Sequence, residues 1–454
     1  MNIRTLSVKH RCLSIAVAGA LASASTAVQA YDIEPWVRGS VTSRDISHRP
    51  GNTEIDQDSW LAEARIGVRD TLPSHWSWFV DVRALAASDN TLLQDQEADI
   101  IRTDGSSDSY YLQLREAYIR YSGLTRYPEE YLQIGLQRLS DDDGLWWDAD
   151  IESITWQGNT TQLDWLVAFG KEFDTYRTDA ELFAINDDVL RLFASADWDW
   201  TAYHSVGISY MKQDQSTDLD ATYFEDTSIG RNADLDWYGV KLMSNWRERQ
   251  APQSFAYKVE WISQQGSSTY VPSTGQLRNI DVSATALDAG LRYDTKQWSF
   301  GVTHTRGSGG ITGNDSSNFS QSGLHTNRGR YFGGRQRLIR FNEALRADIT
   351  NLTHSAIFVT WQPNVNWETV LLIGDYQKTD SQHDIYSLGR RIETVSGSSD
   401  IGMSTDLNVT YYPNEGHPFN LHLLRVRMGY FEPGDAMVND SSDYRITLDA
   451  QFWF

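Results

Sequence analysis

The sequence predicts an all-β fold, a transmembrane antiparallel β-barrel of about 18 strands with short periplasmic turns and long extracellular loops. Three observations predict it. Apolar and polar residues alternate through successive segments of roughly ten residues. The connections between those segments alternate long and short. The chain closes on Phe454, preceded by an apolar residue at every second position.

Residues 1–30 read as a secretory signal peptide. Arg4, Lys9 and Arg11 precede an apolar run from Leu13 to Val28, and Val28-Gln29-Ala30 fits a small-residue cleavage site. Cys12, the single cysteine, lies in this leader and follows basic residues, not a lipobox. The leader carries three basic and no acidic residues, so the formal charge of −22 becomes more negative by three in residues 31–454. That remainder, expected to be one barrel domain, has no disulfide to hold it.

Strands are expected near 33–42, 59–70, 75–87, 109–122, 130–139, 149–157, 160–171, 189–199 and 201–212. Nine more follow near 236–247, 253–263, 282–294, 297–306, 349–362, 365–378, 401–412, 420–431 and 443–454. The last is the clearest. Tyr444, Ile446, Leu448, Ala450 and Phe452 share one face, and Arg445, Thr447, Asp449 and Gln451 take the other. Likewise Ala62, Ala64, Ile66 and Val68 alternate with Glu63, Arg65, Gly67 and Arg69.

The short connections include 71–74, 158–159, 295–296 and 363–364, and the long ones 43–58, 88–108, 172–188, 213–235, 264–281, 307–348 and 379–400. An outer-membrane barrel has this asymmetry, whereas a soluble sandwich has no reason for it. Strands facing hydrocarbon cannot leave an open edge, so the sheet must close, and eighteen strands leave an aqueous channel. Trp36, Trp60, Trp156, Trp198, Trp200, Trp237, Trp246, Trp298 and Trp367 lie near segment ends and suit interfacial girdles.

Composition excludes other classes. No run of 18 apolar residues occurs, so no helix of this chain is a membrane span. The excess of 61 Asp+Glu over 39 Lys+Arg argues against nucleic acid as a partner. Aromatic residues at 12% are too many for a disordered acidic chain.

Against this acidity the basic residues are placed selectively. Residues 325–346 contain six arginines (328, 330, 335, 337, 340 and 346), no lysine and one acid, Glu343. Tyr331, Phe332, Leu338, Ile339 and Phe341 lie among them, more apolar surface than a solvated loop needs, so the segment is expected against or inside the barrel. Further arginines fall on polar strand faces: Arg38, Arg65, Arg69, Arg83, Arg115, Arg425 and Arg427. Arg425 and Arg427 alternate with Leu424, Val426 and Met428, which places both guanidinium groups toward the lumen. Arg138 is out of phase with Gln133, Gly135 and Gln137, which calls for a bulge or a strand end. Arginines in a water-filled tube attract anions; pairing with lumenal acids such as Glu63 and Asp449 merely to shape the barrel is the other reading.

Remaining motifs are weaker. Asp141 to Asp150 is acidic, but an EF-hand loop started at Asp141 would need its glycine where Trp146 stands. There is no HExxH, Walker or GxSxG pattern; an outer-membrane barrel enzyme with a scattered Ser, His and Asp remains a lesser alternative.

The chain resembles the alginate-export outer-membrane porin family. The resemblance rests on LREAYIRYSGLTRYPEEYLQIGLQRLSDDDGLWWDADIESITW (114–156), YRTD (176–179), SGLHTNRGRYFGGRQRLIRFNEALRADITNL (322–352), LRVRMGYFEPGDAM (424–437) and the closing DYRITLDAQFWF. It implies a bacterial outer-membrane channel that passively exports alginate or a similar polyuronate, with no cofactor. By motif, the pathway arginines it implies are Arg38, Arg65, Arg115, Arg138, Arg337, Arg340, Arg346, Arg425 and Arg427. The implied supporting acids are Asp148, Asp179 and Asp449. Implied partners are the anionic polysaccharide, outer-membrane lipids and periplasmic secretion-complex proteins. One departure stands out: the family's long periplasmic plug loop corresponds here to the short stretch 412–418. An uptake porin for anionic oligosaccharides fits that departure as well.

Overall fold

The computed structural model describes residues 32–46, 55–88, 103–104, 110–141, 143–179, 181–182, 189–215, 233–244, 246, 249, 254–270, 278–413 and 421–453. The expected leader, Phe454, most of the acidic connections 88–108 and 213–235, and residues 414–418 of the shortened turn lie outside the described residues.

Eighteen strands form the wall. The first nine are β1 (Asp32–Ile46), β2 (Ile55–Leu72), β3 (Trp76–Ala87), β4 (Tyr110–Tyr121), β5 (Tyr131–Ser140), β6 (Asp148–Asn159), β7 (Leu163–Lys171), β8 (Val189–Thr201) and β9 (His204–Gln215). The others are β10 (Ala233–Ser244), β11 (Ser254–Tyr270), β12 (Arg278–Asp294), β13 (Trp298–Gly307), β14 (Leu352–Asn364), β15 (Trp367–Lys378), β16 (Asp400–Tyr411), β17 (Leu421–Pro433) and β18 (Asp443–Trp453). Each pairs antiparallel with its sequence neighbour, and β1 closes the barrel against β18, with Trp36 opposite Trp453 and Asp45 opposite Tyr444. Closure satisfies every edge that hydrocarbon would otherwise leave unpaired. Among the described residues there is no helix.

The alternation carries an inverted polarity. In β18, Ile446 and Leu448 are 40% and 49% exposed, whereas Arg445, Thr447 and Asp449 are at most 1% exposed. Apolar side chains face outward, as lipid requires, and charges face the lumen. Most of the expected girdle follows this rule, with Trp60, Trp156, Trp198, Trp200, Trp298 and Trp367 exposed. Three do not. Trp36 lines the lumen and Trp237 is buried inside, because each falls on the inward parity of its strand; Trp246 lies just beyond β10 and is buried against Tyr331.

The expected loop at 264–281 is largely ladder: β11 and β12 stay in register from Ser254–Asp294 to Tyr270–Arg278. At about 3.3 Å per residue these 17-residue strands project well past the hydrocarbon. Beyond the membrane both faces meet water, so pairing continues after the apolar alternation has ended.

What holds this barrel is an interior core, not its outer surface. The connection between β13 and β14 folds into the lumen. Its Tyr331, Phe332 and Leu338 pack against Met243, Ala356 and Phe358 of the wall and against Trp246 just beyond β10. Phe319, Leu324, Phe341 and Leu345 join a second cluster with Trp237, Ile262 and Tyr376. The connection between β5 and β6 also turns inward, with Trp147 edge-on to Phe193 at 5.3 Å. The two segments meet at Gly144, whose carbonyl accepts from the Thr326 and Asn327 amides at 3.0 and 2.9 Å. Gly144 has φ 62°, and a Cβ there would collide with Thr326 and Arg328, so glycine is required twice over.

Candidate functional site

Between the inward segment and the wall from β1 to β6 and β17 lies a cavity of about 530 Å³. Among the described residues twelve arginines and seven carboxylates line it, the reverse of the chain's overall balance. The wall supplies Arg38, Arg65, Arg83, Arg115, Arg138 and Arg425. The connection after β7 supplies Arg177, and the inward segment supplies Arg328, Arg330, Arg335, Arg337 and Arg346.

Local backbone irregularities aim several of these groups. On β4 the register against β3 slips, so Asp81 opposes Glu116 and Val82 opposes Leu114, with Arg115 as the extra residue. A bulge of this kind turns two consecutive side chains, Arg115 and Glu116, toward the lumen. Across from it, Gly135 adopts φ 133°, and a Cβ there would strike the Ala117 carbonyl. The alternation changes phase there, which is why Arg138, out of step with Gln133, still reaches the cavity. Above Ala117–Leu136, β4 and β5 part. Residues 176–178 take the vacated edge: the Leu114 amide donates to the Tyr176 carbonyl at 3.1 Å, and the Thr178 amide donates to the Leu112 carbonyl at 3.0 Å. Arg177 is thereby set into the wall, 3.8 Å above the Tyr111 ring.

Acids hold most of the arginines. Arg115 binds Asp150 at 2.9 and 3.1 Å. Arg138 bridges Asp148 at 2.6 Å and Asp150 at 3.0 Å. Arg337 meets the other oxygen of Asp148 at 3.0 Å, which also accepts from Thr326 at 2.7 Å. Arg65 and Arg83 stand directly opposite in register, and Asp81 and Glu63 relieve that repulsion. At the β1–β18 seam, Asp449 accepts from Arg38 at 3.0 Å, Arg425 at 2.9 Å and Arg427 at 3.0 Å.

Of the residues singled out in the sequence, Arg38, Arg65, Arg115, Arg138, Arg337, Arg346, Arg425 and Asp148 line the cavity. Arg427 is inside the barrel but buried behind it, between Asp449 and Glu343. Arg340 lies deeper, paired with Asp288 and 3.8 Å above the Tyr331 ring, where it anchors the inward segment to β12. Asp179 pairs with Arg177 at 2.8 Å, and Asp449 is fully buried. Parity could place Arg427 inside but not distinguish the surface of the cavity from the layer beneath it. Glu63, expected as a lumenal acid, lines the cavity too, whereas Arg177 and Asp150 carry no strand-parity signal of their own; only YRTD at 176–179 points toward the first.

A second charged cluster fastens the two inward connections. The Lys258 ammonium on β11 is held by Asp143, by Glu260 at 3.2 Å and by Asp288 at 3.0 Å. Burial alone would raise Asp143, but Lys258 and Arg340 hold it below the ordinary carboxylate range. These three carboxylates come within 4.8 Å of one another, a spacing that suits a metal ion, and the ammonium stands among them.

Comparison with known proteins adds to this geometry. Residues 34–449 match the alginate export family. The chain belongs to that family. Its relatives include the alginate production protein AlgE of Pseudomonas aeruginosa, 31% identical over 97% of this chain and 96% of that protein. AlgE of Azotobacter vinelandii is 27% identical over 90% of each. Among solved structures, the barrel resembles OpdK of Pseudomonas aeruginosa bound to vanillate, with TM-score 0.59 and 10% identity over 93% of this chain and 98% of that one. Acinetobacter baumannii OccAB2 gives TM-score 0.60 and 11% identity over 93% and 98%. At such identities the porins show the fold alone. This alginate export family member therefore shares an outer-membrane barrel with the porins.

Proposed function

We propose that this family member exports alginate or a similar polyuronate passively across the bacterial outer membrane, through the arginine-faced cavity. Family membership supports the substrate class, and the excess of guanidinium over carboxylate lining the cavity is the observation that carries the mechanism. In this reading residues 1–30 are the leader and residues 31–454 the channel.

A polyuronate presents one carboxylate per sugar. Bidentate guanidinium groups recognise carboxylates well, and a series of weak sites lets the chain be handed along without being trapped. Arg38, Arg65, Arg115, Arg138, Arg337, Arg346 and Arg425 are the contacts. Asp148, Asp179 and Asp449, with Arg340 and Arg427, hold them in place. The acids weaken each arginine's grip by offering an internal partner. The protein acts as a conduit, not a catalyst, and the driving force comes from synthesis upstream or from a concentration gradient.

Purified protein in planar bilayers tests this. The expected result is an anion-selective conductance that alginate reduces, with a smaller reduction by a neutral glucan of equal length. Cation selectivity, or equal block by the neutral polymer, would overturn it. Hydrolysis of a lipid or glycan by the same preparation would instead favour an enzyme.

A further inference from the structure

Aromatic side chains gather at one end of the cavity. Among the described residues Trp36 on β1 is the one tryptophan that lines it. Trp453 on β18 stands opposite Trp36 across the closing seam, and antiparallel partners share a face of the sheet. On β17 the register against β18 slips between Leu421 and Leu423. The extra residue, His422, is turned into the cavity, with its ring 5.2 Å from that of Trp453. The start of β1 and the end of β18 lie on the side of the short connections, so this is the periplasmic mouth. We propose that Trp36, Trp453 and His422 form a sugar-ring site at that mouth, where pyranose rings stack on aromatic faces and a polyuronate is told apart from other polyanions. This inference rests on the cavity being a polyuronate pathway.

Charge alone does not make that distinction. A guanidinium group pairs with a carboxylate whether a sugar or a peptide carries it. What sets a polyuronate apart is its pyranose ring, whose C–H groups are weakly positive and pack on the negative face of an aromatic ring. The mouth supplies both kinds of contact together. Arg65 stands opposite Trp36 in the β1–β2 register, its guanidinium 5.5 Å from the ring centroid. Arg38 follows two residues on, about 7 Å along the same face of β1. Both are held by acids, Arg65 by Asp81 and Arg38 by Asp449 at 3.0 Å, which keeps them beside the indole. A sugar stacked on Trp36 thus has its carboxylate within reach of a guanidinium. The site is also open to a ligand. Trp453 is 53% exposed, whereas Trp237, a core residue of the same barrel, is 2% exposed. An indole left in water at a channel mouth gains when a ring covers its face.

The test compares wild type with Trp36→Phe, Trp36→Leu and Trp36→Leu/His422→Leu in planar bilayers. Three quantities are read: block by a mannuronate hexamer, block by an end-capped hexaglutamate of equal charge, and reversal potential in a KCl gradient. Wild type should be blocked more strongly by the mannuronate. Leucine fills space without offering a ring face, so Trp36→Leu is expected to weaken mannuronate block about fivefold. Its hexaglutamate block and reversal potential should stay close to wild type. Trp36→Phe, which keeps a face, should retain most of the mannuronate block, and the double variant should treat the two oligomers alike. Folding is checked by the heat-dependent gel mobility of the barrel. If wild type shows no anion selectivity or mannuronate block, the channel reading itself fails. Suppose instead that wild type shows both. The sugar-ring site is then wrong, and the channel reading stands, if wild type does not prefer mannuronate or if the double variant keeps that preference. It is equally wrong if Trp36→Leu weakens block by both oligomers alike, which marks Trp36 as mere packing for Arg65.

Discussion

Replacing Asp449 with asparagine removes a single charge from the point where three guanidinium groups converge. Asp449 is fully buried on β18 and holds Arg38, Arg425 and Arg427 at 2.9–3.0 Å. Breaking a buried pair by deleting one partner costs about 3–5 kcal/mol. Two of the three arginines retain help: Arg427 keeps Glu343 at 3.0 Å and Arg38 keeps Glu63 at 3.7 Å. Arg425 has no second carboxylate within reach among the described residues, but it borders the water-filled cavity. The expected cost is therefore at the lower end, about 3 kcal/mol, roughly a hundredfold in the folding equilibrium. The same change leaves Arg425 unneutralised at the lumen, so anion selectivity should rise as stability falls. Urea titration in lipid vesicles, read by heat-dependent gel mobility, gives the first quantity, and reversal potential in a salt gradient gives the second. An unchanged urea midpoint, or selectivity that falls together with stability, would refute the role assigned to Asp449.

Other elements give sharp expectations. Leu448→Arg places a charge on the 49%-exposed outer face of β18, at a cost of about 2–4 kcal/mol at mid-membrane depth, and should sharply reduce the heat-modifiable folded fraction. Gly135→Val demands φ 133° of a β-branched residue beside the Ala117 carbonyl, a strain of about 1–3 kcal/mol; lower stability and altered selectivity are expected together, because Arg138 depends on that phase change. In the inward connection after β5, burial together with Asp143 and Glu260 pushes Asp141 up to about 7, from an ordinary 3.8. A carboxyl raised on folding favours the folded state while it stays protonated, so the stability of this connection should fall as pH rises from about 4 to about 7 and then level. Hydrogen exchange at Leu145 and Trp146, whose amides donate to Asp141, should follow that slope, and Asp141→Asn should abolish it.

The wall was readable in the sequence because each strand meets two different solvents. Lipid on one face and lumen on the other write a period of two into β18 or β2, and all eighteen strands appear where that period runs. Where both faces meet water the signal disappears, so the outer ends of β11 and β12 read as a loop although their ladder continues. The inward path of residues 325–346 was readable from Tyr331, Phe332 and Leu338, too apolar for a solvated loop. The site was readable in kind but not in arrangement. Parity put Arg425 and Arg427 inside, yet only geometry separates the one that borders the cavity from the one behind it. The ion pairs could not be read at all. Arg138 with Asp148 lies within one hairpin, but Arg337 with Asp148 joins residues 189 positions apart, and Lys258 with Asp143 joins residues 115 apart. Such contacts depend on how the inward connections cross the lumen, which strand periodicity does not encode.

The central claim is that a charged polysaccharide crosses this barrel along guanidinium groups. Its most direct test is the passage of end-labelled polyuronate chains into vesicles carrying the purified protein, beside neutral glucan chains of equal length. The account predicts that polyuronate enters and that the glucan enters far more slowly. Equal entry of both polymers, or exclusion of polyuronate by a channel that conducts small anions, would contradict it.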